Sequence, residues 1–217
     1  MPQISSIEPQ KKRKRFNVFT DGKFAFGCDP QIIVEKKLSI GKNLTNREID
    51  EIISKETISK LTDKALHFLS FRPRSEKEVS DFLTKKIADL ENIKFNQAKE
   101  SPLIKRIIAK FKKYHYLDDL EFTRWFVKSR VKNRPKGASV LTLELRKKGI
   151  SSDAITQVIN QLPNQTELAI KAVSKKLNTW SRLAPVDFKR KVYQYLAPRG
   201  FNYETIKEAI AILVKKR

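Results

Sequence analysis

Two stretches 51 residues apart carry one pattern, and that repeat limits the folds open to this chain more than any other feature. LRKKGISSDAITQVI starts at Leu145 and LAPRGFNYETIKEAI at Leu196. Gly149 matches Gly200, Asp153 matches Glu204, Ile155 matches Ile206, and Ile159 matches Ile210. The same step carries Ile104, Ile107, Ile108 and Phe111 onto Ile155, Val158, Ile159 and Leu162. Upstream, FRPRSEKEVSDFLTKK and NRPKGASVLTLELRKKGI share an Arg-Pro-basic corner, a cap and an amphipathic helix with a Lys-Lys tail. Their offset, Pro73 to Pro135, is 62. The first copy therefore holds 11 extra residues, placed in ADLENIKFNQAKE. A repeat of this length is one supersecondary unit that buries its apolar face against its neighbours. Pro73 and Pro135 stop a helix, because proline lacks the N–H and disfavours helix before it. Gly149 and Gly200 supply left-handed C-caps.

From residue 57 the apolar spacing predicts nine helices in groups of three: a first unit over 57–117 with the insertion near 88–100, a second over 118–163 and a third over 164–217. Ser75 and Glu78 form a capping box, and Ser139 starts a helix. The N-terminal part reads differently. Residues 1–15 are polar and end in KKRKR, as a solvated basic tail or a phosphate-binding arm does. Over 16–56, Phe16, Val18, Phe24 and Phe26 alternate around Asp21-Gly22, the signal of a type I′ hairpin. Asp29 and Pro30 then open a helix that Gly41 stops, and Thr45 with Glu48 boxes another. The fold expected is mainly α: a curved, solenoid-like tandem array of three three-helix units after a small β-hairpin-plus-helix segment.

Charge points to the partner. With 46 Lys and Arg against 24 Asp and Glu the chain carries +22. The balance is +3 over residues 1–56, +7 over 57–117, +4 over 118–163 and +8 over 164–217, so the basicity rides on the folded body. Such charge fits a polyanionic partner, nucleic acid or a surface coated with it; the competing reading is a lysine-rich surface that keeps the protein soluble. One cysteine, Cys28, excludes an internal disulfide and a thiolate zinc cluster and suits a buried place in the hairpin. The chain has no apolar run of spanning length and no secretory leader, which points to a soluble, cytoplasmic protein.

The candidate contacts are Arg124, Lys128, Arg130, Lys132, Arg134 and Lys136 on and after the helix DDLEFTRWFVKSRVKN, then Arg146, Lys147 and Lys148, with Arg72 and Arg74 as first-unit equivalents. Clustered in space they would neutralise phosphates or acidic groups; singly they are a solvated face and favourable charge near helix C-termini. Arg130 has the rival role of an ion pair with Asp118 or Asp119. Those two aspartates read as an N-cap and dipole partner rather than a metal or acid–base pair. His67 and His115 lack ligand spacing, and Phe122, Trp125, Trp180 and Phe188 read as core. The chain shows no phosphate-binding glycine loop and no nucleophile with a base partner, so neither catalysis nor a cofactor is expected.

ALHFLSFRPRSEKEVSDFLTKK at 65–86 and YLDDLEFTRWFVKSRVKNRPKGASVLTLELRKKGIS at 116–151 resemble, in order and spacing, the RecX family of regulators of the bacterial RecA recombinase. The third unit is similar more loosely, and Leu-Ala-Pro replaces the Arg-Pro corner there. The resemblance implies a monomer lying along the groove of a RecA–DNA filament, hindering filament growth or strand exchange and dampening recombination and the SOS response. It brings no catalytic residues and no cofactor. The alternative from the residues is an autonomous DNA-binding protein of tandem helical units acting without RecA. Its mostly Lys, pattern-free cations fit backbone contact better than base reading.

Overall fold

A computed structural model of the chain describes residues 1–11 and 15–215. It divides into two compact units, Met1–Phe71 with Asp81–Lys110, and Arg72–Ser80 with Phe111–Arg217. Among the described residues no helix is long and apolar enough to cross a membrane, and no group of three or more His, Cys, Asp or Glu could hold a metal ion.

The first unit opens on an antiparallel sheet of three strands, β1 (Ile4–Pro9), β2 (Phe16–Thr20) and β3 (Lys23–Cys28), in that order. Asp21 and Gly22 link β2 to β3 with φ of 49° and 77°, the doubly left-handed pair of a type I′ turn. β1 corrects the expected solvated tail. Ile4 is buried, and a register shift between Ile4 and Ser6 breaks the alternation by which a strand is recognised. Lys12, Arg13 and Lys14 of the expected phosphate arm lie outside the described residues. Arg15 is buried: it pairs with Glu56 and reaches Asp63 at 2.8 Å.

Helix α1 (Pro30–Glu35) is capped by Asp29, as expected, but stops before Gly41, because Lys37 already turns left-handed at φ 48°. The next helix, α2 (Asn46–Ser70), starts on the Thr45–Glu48 capping box and runs unbroken through the expected boundary at 56–57. No glycine or proline interrupts it, and Glu56, at that boundary, is buried beneath Arg15 and accepts the Asp29 N–H at 2.9 Å. Ile4, Val18, Phe26, Cys28, Ile32, Leu38, Leu44 and Ile52 form one core. Burial, with Glu56 and Asp29 nearby, pushes the Cys28 thiol up to about 11, so it packs as an unreactive apolar group.

Helix α3 (Glu76–Glu91) outlasts its counterpart in the next repeat, and the short α4 (Phe95–Ala98) follows before α5 (Pro102–Lys113); the 11 extra residues of the first copy lie in this stretch. Repeat 2 comprises α6 (Asp119–Asn133), α7 (Ala138–Lys147) and α8 (Ser152–Ile159). Repeat 3 comprises α9 (Gln165–Trp180), α10 (Pro185–Leu196) and α11 (Tyr203–Lys215), with a 3₁₀ turn at Ala197–Arg199. The repeats match residue by residue. A step of 46 carries buried Phe122, Phe126 and Val127 onto buried Leu168, Ala172 and Val173. A step of 51 carries Leu141, Leu145, Ile150, Ile155 and Val158 onto Val192, Leu196, Phe201, Ile206 and Ala209, all buried. Val131 and Leu162 pack against both cores and join them.

The corner preceding the second helix of each repeat sits on the turn after the second helix of the next. Ser75 Oγ donates to the Lys148 carbonyl at 2.8 Å, and Gly137 N–H donates to the Arg199 carbonyl at 2.9 Å. One residue on, Glu76 N–H donates to Asp119 Oδ1 at 2.8 Å, and Ala138 N–H to Gln165 Oε1 at 3.2 Å. By the repeat offsets these are the same two hydrogen bonds made twice. Three of the four satisfy N–H groups that the first turn of a helix otherwise leaves unpaired; the Ser75 hydroxyl donates the fourth. Backbones approach closely here. A Cβ on Gly137 would lie 2.1 Å from the Gly200 carbonyl oxygen, and one on Gly200 would lie 2.6 Å from Val140 N.

Gly137→Ala is therefore expected to lower stability by about 3 kcal/mol or more, since the clash is with backbone that cannot turn aside. Gly22→Ala, strained at φ 77° but with open space around it, is expected to cost about 1–2 kcal/mol. Urea denaturation of the two variants measures the difference.

Candidate functional site

Helix α6 sets the first part of the site. Phe122, Phe126 and Val127 face the core, which leaves Arg124, Lys128 and Lys132 exposed at four-residue spacing along the other side. Trp125 and Ser129 fall between the two faces and are half-buried. Against them lie Arg72, from the corner of repeat 1, and Lys148, from the turn after α7. Arg72, Trp125, Phe126, Ser129, Arg130 and Lys148 line a depression of about 200 Å³. The Arg72 guanidinium lies 5.6 Å from the Trp125 ring centroid, and that of Arg130 lies 4.8 Å from Phe126. Both distances suit a cation held on an aromatic face.

Two carboxylates hold four of these cations in place. Glu78 takes a two-pronged contact from Arg72, at 2.9 and 3.0 Å, and one from Lys148 at 2.5 Å. Glu144 takes Arg130 at 2.9 Å and also Lys136. The partner of Arg130 is thus Glu144, not the expected Asp118 or Asp119. Asp118 caps α6, accepting from Leu120 and Glu121 N–H, and Asp119 receives Glu76 N–H. The acids number two and the cations four, so the cluster stays positive. Burial alone would raise the Glu78 carboxyl, but hydrogen bonds from Arg72 and Lys148 outweigh it and bring it down to about 2. Glu144 is lowered in the same manner: burial opposes, and Lys136 and Arg130 prevail. Asp119 is raised, because burial exceeds the help of the Glu76 N–H.

A second, larger groove of about 580 Å³ is lined by Arg134, Lys136, Lys171, Lys175, Tyr195 and Arg199, among others. Five of the six residues that line the first depression have counterparts in its lining, Arg130 being the exception. The repeat offsets carry Arg72 onto Arg134, Trp125 onto Lys171, Phe126 onto Ala172, Ser129 onto Lys175 and Lys148 onto Arg199. Three changes make the copy more basic. Lysines replace Trp125 and Ser129, and Val140 stands where Glu78 would, so the copy loses that carboxylate. Arg199 lies over the Tyr195 ring, its guanidinium carbon 3.5 Å from the centroid, and donates to the Tyr195 carbonyl at 2.6 Å. This fixes the guanidinium in the groove wall.

Of the expected residues, Arg72, Arg130 and Lys148 share the first depression, Arg134 and Lys136 share the second, and Arg124 and Lys128 border a third, of about 250 Å³, beside Val127 and Pro163. Arg74, Lys132, Arg146 and Lys147 line none of these three. Burial and neighbouring Arg72 lower the half-buried Arg74. Sequence reasoning missed Lys171, Lys175 and Arg199, although the 51-residue step from Lys148 lands on Arg199. Phe122 and Phe188 are core as expected, whereas Trp125 and Trp180 are half-buried.

Depressed Glu78 makes stability depend on acid. Above about 4.5 the carboxylate is ionised whether folded or unfolded. As pH falls from about 4.5 toward about 2, the unfolded chain takes up a proton that the folded one refuses, and stability drops by up to about 3 kcal/mol. Glu78→Gln is expected to be less stable at neutral pH and to show a flatter profile between those values, measured as the urea midpoint against pH.

Four family models match the chain: the regulatory protein RecX N-terminal domain over residues 2–45, and the first, second and third RecX three-helix domains over 62–93, 118–159 and 164–210. The regulatory protein RecX of Bacillus pumilus is 36% identical over 213 residues, spanning 97% of this chain and 77% of that protein. That of Bacillus subtilis is also 36% identical over 213 residues, spanning 97% and 76%. That of Listeria monocytogenes is 34% identical over 214 residues, spanning 95% and 74%. A crystal structure of regulatory protein RecX matches with a TM-score of 0.68 at 25% identity, covering 96% of this chain and 98% of the other. The crystal structure of RecX from Lactobacillus salivarius matches with a TM-score of 0.59 at 27% identity, covering 73% and 97%.

Proposed function

The chain belongs to the RecX family of regulatory proteins, and from that premise we propose that it regulates RecA by lying on the RecA–DNA filament, with the two repeated basic grooves as its contacts, and that it inhibits the recombinase. The observation that carries this reading is the repetition of the groove. An isolated basic patch suits any polyanion, whereas two basic grooves at equivalent places in successive repeats, sharing the cation positions Arg72/Arg134 and Lys148/Arg199, suit a partner that is itself periodic. The grooves hold Arg72, Arg130 and Lys148 in one case and Arg134, Lys136, Lys171, Lys175 and Arg199 in the other. The exposed line Arg124, Lys128 and Lys132 adds charge, and Arg74, Arg146 and Lys147 flank it in sequence.

On this reading the protein is a non-catalytic cytoplasmic monomer acting in recombination and SOS control. The cations neutralise phosphates or acidic side chains on the filament surface. Arg199 on Tyr195 and Arg72 near Trp125 are held in place beforehand, which lowers the ordering cost of binding. Glu78 and Glu144 leave each cation pair with one positive charge in excess.

RecA-dependent ATP hydrolysis on single-stranded DNA tests this. The full chain is expected to inhibit hydrolysis at near-physiological salt. Arg134→Ala with Lys171→Ala and Lys175→Ala is expected to weaken inhibition at least about tenfold and to lessen the salt dependence by about 0.7–0.9 per cation removed. No effect of the wild-type chain on RecA, with tight binding to naked DNA, would remove the filament reading and favour the autonomous DNA-binding one.

A further inference from the structure

The last two helices carry a feature that the basic grooves do not use. Between α10 and α11 runs a groove of about 850 Å³. Tyr193 and Tyr203 form part of its wall at 44% and 62% exposure, and Ile210, Ala211 and Val214 contribute aliphatic surface. Lys189, Arg190, Lys207 and Lys215 also line it, and among the described residues no carboxylate does, although Asp187 pairs with Arg190 from beside it.

Repeat 2 shows that the fold does not require this surface. The 51-residue step places Thr142 at Tyr193, Ser152 at Tyr203, Thr156 at Lys207 and Asn160 at Ala211. Four polar positions in one repeat have thus become two exposed tyrosines, a lysine and an alanine in the other. Buried partners beneath them keep their character: Val192, Leu196, Ile206 and Ala209 are as enclosed as Leu141, Leu145, Ile155 and Val158. The change is confined to the outer face.

We propose that this groove docks an acidic amphipathic helix of a partner protein. An apolar channel between two helices suits the apolar stripe of a third, anchored at i, i+3, i+4 and i+7. Arg190 is paired with Asp187 at 2.7 Å, but Lys189, Lys207 and Lys215 have no ion pair among the described residues, and these three select glutamate or aspartate on the flanks of that stripe. A second copy of this chain is a poor occupant, since each copy carries +22. Nucleobases fit less well than a helix. The tyrosine rings meet edge to face at 6.4 Å and 64°, and the aliphatic residues give a base no aromatic face to stack on. The residues involved are separate from those of the two basic grooves, so this proposal stands whether or not the filament reading does.

The test uses the full chain and a labelled synthetic helix with leucines at i, i+3, i+4 and i+7 and glutamates elsewhere, read by fluorescence anisotropy at near-physiological salt. Binding of this peptide is expected, with at least about tenfold weaker binding of the same helix bearing lysines. Two variants are made, each checked by thermal melting: Tyr193→Thr with Tyr203→Ser, which installs the residues of repeat 2, and Ala211→Glu, which puts an acid on an exposed site in the groove. Each is expected to lose at least about tenfold in affinity for the acidic helix. Equal binding of the acidic and basic peptides, or unchanged binding by both variants, would overturn the proposal. So would a dimer in sedimentation that Ala211→Glu dissolves, which would make the face a contact between copies. Loss of oligothymidine binding in the tyrosine variant, with peptide binding unchanged, would make it a nucleic-acid platform instead.

Discussion

The second compact unit depends on one kind of junction. A helix leaves its first N–H groups without partners inside itself. Here the start of the helix following each Arg-Pro corner is held on the next repeat at two places: the side chain at the start of that repeat's first helix takes an N–H in both instances, and the carbonyl before its left-handed turn takes the Ser75 hydroxyl in one and the Gly137 N–H in the other. Glu76 and Asp119, Ser75 and Lys148 make the first instance; Ala138 and Gln165, Gly137 and Arg199 make the second. The side chain can change from Asp to Gln, and the donor from a serine hydroxyl to a glycine amide. What is retained is hydrogen bonding at a fixed separation. Gly149 against Lys77 and Gly200 against Ser139 show how little room the contact leaves.

The grooves follow from the junction. Seating a corner on the following turn brings the arginine of one, Arg72 or Arg134, near the basic residue of the other, Lys148 or Arg199, in the same depression. Cations brought that close repel, and the two junctions answer differently. At the first, Glu78 binds Arg72 and Lys148 together. At the second, Val140 occupies the Glu78 position, and Arg199 instead spreads its charge over the Tyr195 ring and a carbonyl. A carboxylate neutralises charge, whereas an aromatic face only steadies it. The second groove is therefore the more positive of the two, although they occupy equivalent places in the repeats.

Legibility in the sequence followed the type of signal each feature gave. The repeat was visible because buried positions and left-handed glycines recur at a constant step: Leu145 and Leu196, Gly149 and Gly200, Ile155 and Ile206 are the core and caps themselves. The Thr45–Glu48 and Ser75–Glu78 boxes and the Asp21-Gly22 turn were legible for the same reason, being local chemistry between near neighbours. Features that depend on distant partners were not. Strand β1 hid behind a bulge, and buried Arg15 looked like the end of a basic tail because Glu56 and Asp63 lie 41 and 48 residues away. Arg130 was given Asp118 or Asp119, at the start of its own helix, as the partner of a rival ion pair, when Glu144, across the corner in α7, was the group in reach.

Repeats also let one part of the chain serve as the reference for another. Residues that the fold needs are held across the copies, as Leu141 and Val192 or Ile155 and Ile206 are, and substitution there stays within apolar types of similar burial. Residues that differ in kind on the outer surface answer to something beyond the fold. By that measure the lysines at 171 and 175, in place of Trp125 and Ser129, mark gained charge. The tyrosines at 193 and 203, in place of Thr142 and Ser152, mark gained apolar contact. Repeat 3 thus differs from repeat 2 in two directions at once, toward more positive charge in one groove and toward more apolar surface in another. Its interior keeps the plan of repeat 2, and the junction leaves no room for a side chain at Gly137 or Gly200.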